Sequence, residues 1–188
     1  MLLASGSGRR FGGNKLLAPV EGVPLIARTM DALPAALFAR AVVCTSYPEI
    51  LALAEARGYL ALENTRAAEG ISASIRLGLS APGEVDGALF AVCDQPFLKT
   101  DSILRLIDTF AESPGSICAL AWGGARGNPV VFPRDLFPEL LALSGDTGGG
   151  AVLRAHRDRL RLVEASSPRE LWDIDTMEDL LTEKEPGL

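Results

Sequence analysis

The stretch "AVVCT" (Ala41–Thr45), followed closely by "YPEILALAEARG" (Tyr47–Gly58), decides the fold. The first run is brief, apolar and β-branched, so it reads as a buried strand. The second places Ile50, Leu51, Leu53 and Ala54 at helical spacing and closes on Gly58, a helix stop. A strand passing almost directly into a helix is the working unit of a parallel sheet.

Outward from there the alternation continues. "GALFAVC" (Gly87–Cys93) reads as a second buried strand, ending in "DQP". "SILRLIDTF" (Ser102–Phe110) follows as a helix with Ile103, Leu106, Ile107 and Phe110 on one face. "SICALAW" (Ser116–Trp122) and "NPVVF" (Asn128–Phe132) read as further strands, and "RLRLVEA" (Arg159–Ala165) as an edge strand. The expected fold is α/β: a Rossmann-like three-layer sandwich with a mostly parallel central sheet and helices on both faces. One domain over residues 1–188 is expected. In such sheets ligands bind beyond the carboxyl ends of the strands.

Composition narrows the function classes. The net charge of −6 argues against a broad nucleic-acid-binding surface. It leaves room for an anionic small molecule held by a local cluster of cations. No apolar run approaches the ~18 residues of a membrane span, and the start does not read as a signal peptide. Cys44, Cys93 and Cys118 lie far apart without CxxC spacing, so reduced, buried thiols are expected. A cytoplasmic location follows as an expectation.

The first positive charges of this acidic chain sit in "LLASGSGRRFGGNK" (Leu2–Lys15). A strand-like start, a glycine loop and the helix-like "VPLIARTMDAL" could together cradle phosphates on backbone N–H groups. Arg10 and Lys15 would neutralise the anion. The stretch is neither a GxGxxG fingerprint nor a P-loop, because Phe11 and Asn14 stand where those motifs need glycine and lysine.

This stretch resembles the L-A-[AG]-G-x-S-x-R-[MF]-G-x-x-K motif of the molybdenum cofactor nucleotidyltransferases. Leu3, Ala4, Gly6, Arg10, Phe11, Gly12 and Lys15 carry the match. Ser5 stands where the family has Ala or Gly, and Gly8 where it has Ser. The likeness extends along the chain through "EGISASIRLGL" (Glu69–Leu79), "DQP" (Asp94–Pro96), "RGNPVVF" (Arg126–Phe132), "SGDTGGGAVLRAH" (Ser144–His156) and "DIDTMEDL" (Asp173–Leu180).

The resemblance implies a nucleotidyltransferase fold and a nucleotide site formed by Leu3, Ala4, Ser5, Gly6, Gly8, Arg10, Lys15, Ser72 and Ser74. Ser72 competes with a plain helix-capping role. Asn128 and Asp146 would border the acceptor, with an ordinary N-cap as the alternative for Asp146. Asp94 and Asp175 would hold Mg²⁺, an oxygen-seeking ion bound through one or two carboxylates and substrate phosphates. Asp94 could instead form a turn, and Asp175 could sit at the N-cap of a Thr176–Asp179 capping box. Arg10, Lys15 and Asp94 are the expected catalytic residues. His156, the only histidine, is expected to be structural.

The implied reaction moves CMP from CTP to the phosphate of molybdopterin and releases pyrophosphate, with CTP favoured among the nucleoside triphosphates. The closest branch by resemblance is the molybdenum cofactor cytidylyltransferases. Delivery of the product would bring in a molybdoenzyme or its chaperone. The alternatives are a related cytidylyl- or sugar-phosphate nucleotidyltransferase with another phosphorylated acceptor, and a non-catalytic pterin or nucleotide carrier of the same fold.

Overall fold

The structure is a computed structural model describing residues 1–6, 14–81, 83–176 and 178–179. Each strand expected above is present. The chain opens with β1 (Leu2–Leu3) and a small hairpin, β2 (Pro19–Val20) and β3 (Val23–Pro24). Glu21 and Gly22, both at positive φ, turn the hairpin. Helix α1 (Leu25–Ala32) then leads to β4 (Val42–Thr45), α2 (Pro48–Glu55) and β5 (Leu60–Glu63). Gly58, at φ 78°, ends the α2 segment as its sequence requires.

Next come α3 (Ile71–Leu79), β6 (Gly87–Val92) and α4 (Thr100–Glu112). The last part holds β7 (Ile117–Trp122), β8 (Ala125–Pro133), α5 (Phe137–Leu141), α6 (Gly150–Ala155) and β9 (Leu160–Glu164). The strands form one seven-stranded sheet in the order β5-β4-β1-β6-β8-β7-β9. The pairs β1–β4, β1–β6, β4–β5 and β7–β9 are parallel. β8 alone runs against its neighbours β6 and β7.

Side-chain alternation across the pleat sorts the core into two clusters. Cys118 and Leu120 of β7 join Leu89 and Ala91 of β6 on one face, beneath Ile26 and Met30 of α1, Ile50 of α2 and Leu106 of α4. Ile117 and Ala119 of the same strand join Phe90 on the other, beneath Ile75 of α3, Leu140 of α5 and Val152 of α6. Three layers result, with α1, α2 and α4 on one side and α3, α5 and α6 on the other.

The strand order locates the site. From β1 the chain winds one way to β4 and β5, then crosses back to β6 on the other flank of β1. The switch point therefore lies between the carboxyl ends of β1 and β6, where a doubly wound sheet opens a crevice. The glycine loop leaves β1 there, and Asp94 follows β6 there.

Candidate active site

Ala4 ends β1 in the sheet: its N–H donates to the Cys44 carbonyl at 2.9 Å, and its own carbonyl accepts from the Thr45 hydroxyl at 2.9 Å. Leu3 is a half-buried strand residue. Ser5 donates to the Cys44 carbonyl at 3.1 Å, and exposed Gly6 receives the Tyr47 hydroxyl on its carbonyl at 3.1 Å. Gly8 and Arg10 lie outside the described residues. The chain returns at Asn14, whose Oδ1 accepts from the Leu16 N–H and starts a short 3₁₀ turn over Lys15–Leu17.

That turn aims Lys15 at the carboxyl end of β6. Its Nζ donates to Asp94 Oδ2 at 2.8 Å, to the Ile174 carbonyl at 3.0 Å and to Asp175 Oδ1 at 3.2 Å. Residues 79 and 160 positions apart thus converge on one ammonium. Burial alone would lower the Lys15 pKa; the carboxylates of Asp94 and then Asp175 outweigh it and hold the group above its ordinary value. From sequence, Lys15 is expected to neutralise the anion and Asp94 to hold Mg²⁺. The structure sets them in direct contact.

Two buried side-chain polar atoms lack a hydrogen-bond partner among the described residues: Asp94 Oδ1 and Asn14 Nδ2. Both belong to this cluster, one on Lys15's partner and one on its chain neighbour. An orphaned buried polar atom is costly. Asp94 therefore offers an oxygen lone pair suited to a hard cation, beside a second carboxylate on Asp175, and the donor set fits Mg²⁺ chemistry. Asn14 was not singled out from sequence, because an Asn before Lys carries no signal of its own.

Asp173 stands two residues from Asp175 on the same segment and accepts from the Gln95 amide. Its carboxyl is raised above the usual range, first by local desolvation and then by the charge of Asp94. Thr176 and Asp179 do form the capping box. Asp179 Oδ2 accepts from the Thr176 and Asp175 N–H groups at 2.7 and 2.9 Å, and the Asp179 N–H donates to Thr176 Oγ1 at 3.2 Å. These backbone donors hold the Asp179 carboxyl below its usual range.

The serines of "EGISASIRLGL" face inward. Ser72 and Ser74 are 0% and 2% exposed. Ser74 accepts from the Asn64 amide at 2.9 Å, and Ser72 accepts from Arg76 at 3.2 Å. Each hydroxyl thus accepts one protein donor in this arrangement. Ser72 is not the cap: Gly70 is the N-cap of α3 and gives no side-chain bond. The Asn64 amide also donates to Ser5 Oγ at 3.2 Å, so the hydroxyl at position 5 ties the start of the loop to α3.

Val130 of β8 pairs with Phe90 of β6. The antiparallel register therefore carries half-buried Asn128 to the carboxyl end of β6, the end that leads to Asp94. Asp146 is exposed and is not the cap of α6, which is Gly149. Instead the Gly145–Asp146 turn packs on Gly70: a Cβ there would lie 2.5 Å from Asp146 Oδ1 and from the Gly145 carbonyl. The Ser72 N–H donates to the Gly145 carbonyl at 3.2 Å. His156, at the end of α6, pairs with Glu139 at 2.8 Å.

Residues 1–160 match the MobA-like NTP transferase domain. Among curated proteins, the chain is 27% identical to the nicotine blue oxidoreductase of Paenarthrobacter nicotinovorans, covering 96% of this chain and 93% of the relative. It is 27% identical to the probable molybdenum cofactor guanylyltransferase of Thermococcus gammatolerans, covering 95% of each. Among solved structures, a nucleotidyl transferase from Methanothermobacter thermautotroptrophicus superimposes with a TM-score of 0.80 at 27% identity, covering 96% of this chain and 92% of that one.

Proposed function

We propose a reaction for this chain, which belongs to the MobA-like NTP transferase family and is a nucleotidyltransferase: it transfers CMP from CTP to the terminal phosphate of a molybdopterin-type acceptor. The observation that carries the reading is Asp94. Its carboxylate gives one oxygen to Lys15 and keeps the other buried and, among the described residues, without a hydrogen-bond partner at the switch point of the sheet. Asp94 and Asp175 would hold Mg²⁺, whose charge would offset that on the α-phosphate oxygens.

The chain's own groups do the rest by placement and charge, as displacement at phosphorus demands. The loop after β1 would meet the triphosphate with backbone N–H groups, and Arg10 would add a cation there. Lys15 would offset charge on the triphosphate and the departing pyrophosphate. Asn14 Nδ2 supplies a further donor beside it. Ser72 and Ser74 act through Arg76 and Asn64, setting α3 against the loop. Asn128 and Asp146 would border the acceptor, and the contact of Asp146 with Gly70 brings that side against the start of α3.

The test is pyrophosphate release with Mg²⁺, each of the four nucleoside triphosphates and a panel of phosphorylated acceptors. Release with CTP and molybdopterin is expected, and Asp94→Ala lowers it by about 10²–10³-fold, the scale for loss of one transition-state charge contact. Release with GTP only, as the name of the Thermococcus relative would suggest for that protein, overturns the base assignment. Release only with a sugar phosphate overturns the acceptor. Binding without release overturns the reaction.

A further inference from the structure

The carboxylate of Glu170 is 0% exposed, and no charged side chain is recorded as its partner among the described residues. Burying a carboxylate is expensive unless hydrogen bonds satisfy it. Here Oε2 accepts from the Lys99 N–H at 3.1 Å, and Oε1 accepts from the Ser166 N–H at 2.7 Å. Lys99 is the N-cap residue of the 13-residue helix α4, whose positive end favours the negative charge. One side chain thus joins the start of α4 to the strap that follows β9.

That strap, Ser166–Thr176, carries Asp173 and Asp175. It is docked along the "DQPF" turn at several points. The Arg169 guanidinium lies 3.8 Å from the Phe97 ring centroid, and Trp172 stacks on the same ring at 5.9 Å. The Ile174 N–H donates to the Asp94 carbonyl at 2.9 Å. The strap has other anchors: Ile174 is 1% exposed in the core cluster, with Leu171 packed against that cluster, Ser166 Oγ meets Ser102 and Arg105, and Lys15 donates to the Ile174 carbonyl at 3.0 Å. Glu170 differs from these in bonding backbone N–H groups of two separate segments at once.

We infer that Glu170 is a positioning residue: its buried carboxylate latches the strap to the start of α4 and thereby holds Asp175 beside Asp94 and Lys15. The role of the two aspartates as cation ligands rests on the reading above; the latch itself does not. Losing one acceptor oxygen at position 170 leaves a buried N–H unpaired and frees the strap to detach, while the sheet stays intact.

The experiment uses the full chain and two readouts. In Glu170→Gln, amide exchange at Ser166 and Ile174 rises at least tenfold, while amides of β7 such as Leu120 exchange as in the parent. In the same variant the dissociation constant for Mn²⁺, followed by electron paramagnetic resonance, rises at least fivefold, and Glu170→Asp restores part of the loss. Exchange at Ile174 within twofold of the parent overturns the latch. So does a uniform rise across β7, which would mean that Glu170 supports the whole fold. Should Glu170→Gln not fold, Arg169→Ala, exposed and outside the core, is read the same way. Removal of its contact with Phe97 should speed exchange at Ile174 two- to threefold, and no change there counts against a detachable strap. If the parent binds no Mn²⁺, or Asp94→Ala binds it unchanged, the metal reading fails while the exchange measurement still decides the latch.

Discussion

At the scale of single residues, Lys15 joins two carboxylates that lie far apart in sequence. Its ammonium is 18% exposed as a side chain and touches three oxygens from β6 and the strap. Lys15→Met removes this cation, leaving Asp94 and Asp175 facing each other. The expected result is a fall in kcat/KM of about 10²–10³-fold, measured as pyrophosphate release, with Mn²⁺ still bound. Stability provides a second check. A lysine whose folded pKa is raised contributes stability that is complete below its unfolded value near 10.5 and is lost as pH rises through the folded value. The parent should therefore lose stability in strongly alkaline buffer, and Lys15→Met should lose less over the same window, read as the urea midpoint against pH. An equal decline in both would refute the assignment.

Elements meet the site through their ends. Gly70 is at φ 93°, where an L side chain is strained, and the turn at Gly145–Asp146 fills the place of its missing Cβ. Gly70→Ala therefore forces both backbone strain and a shift of the 145–146 turn. About 1–3 kcal/mol of destabilisation is expected, seen as a lower urea midpoint at unchanged m-value. Activity should fall more than occupancy of the folded state explains, because the turn carries Asp146, proposed above to border the acceptor. A variant with parental midpoint and parental activity would show that the close approach is dispensable. In contrast, Asp179 matters at the end of the strap: its lowered carboxyl contributes above about pH 3.8, and that contribution is lost as pH falls below it.

Across the whole molecule the three cysteines report on the two-sided core. Cys44, Cys93 and Cys118 are free and buried, at 0%, 2% and 0% exposure. Desolvation pushes the Cys44 thiol up to about 12, and burial raises those of Cys93 and Cys118 as well. A thiolate is the reactive form, so an aromatic disulfide reagent at pH 8 should modify none of the three in the folded protein and all three in urea. Rapid modification of any thiol without denaturant would contradict the packing. Leu106 of α4, 0% exposed in the cluster that also holds Cys118, gives the energetic counterpart. Leu106→Ala should cost about 2–5 kcal/mol in denaturant unfolding and leave the KM for nucleotide unchanged in the folded fraction. Among the described residues no helix is long and apolar enough to cross a membrane.

Much of this was written in local pattern. The apolar runs at 42–45 and 87–92 had to be buried strands, Gly58 had to stop a helix, and the motif residues named the family, because each depends on chain neighbours alone. The strand at Leu60–Glu63 escaped notice, since its exposure alternates weakly on an open edge, and so did the two-residue strands of the hairpin. What lay beyond local reading was who meets whom. The direct contact of Lys15 with Asp94, the inward turn of Ser72 and Ser74, Asn14's orphaned amide, Glu170's latch and the packing of Asp146 on Gly70 all join positions that only the folded backbone brings together. Spacing along a chain encodes periodicity, whereas a buried charge or donor acquires its partner from the three-dimensional packing of elements whose order in the sheet differs from their order in sequence.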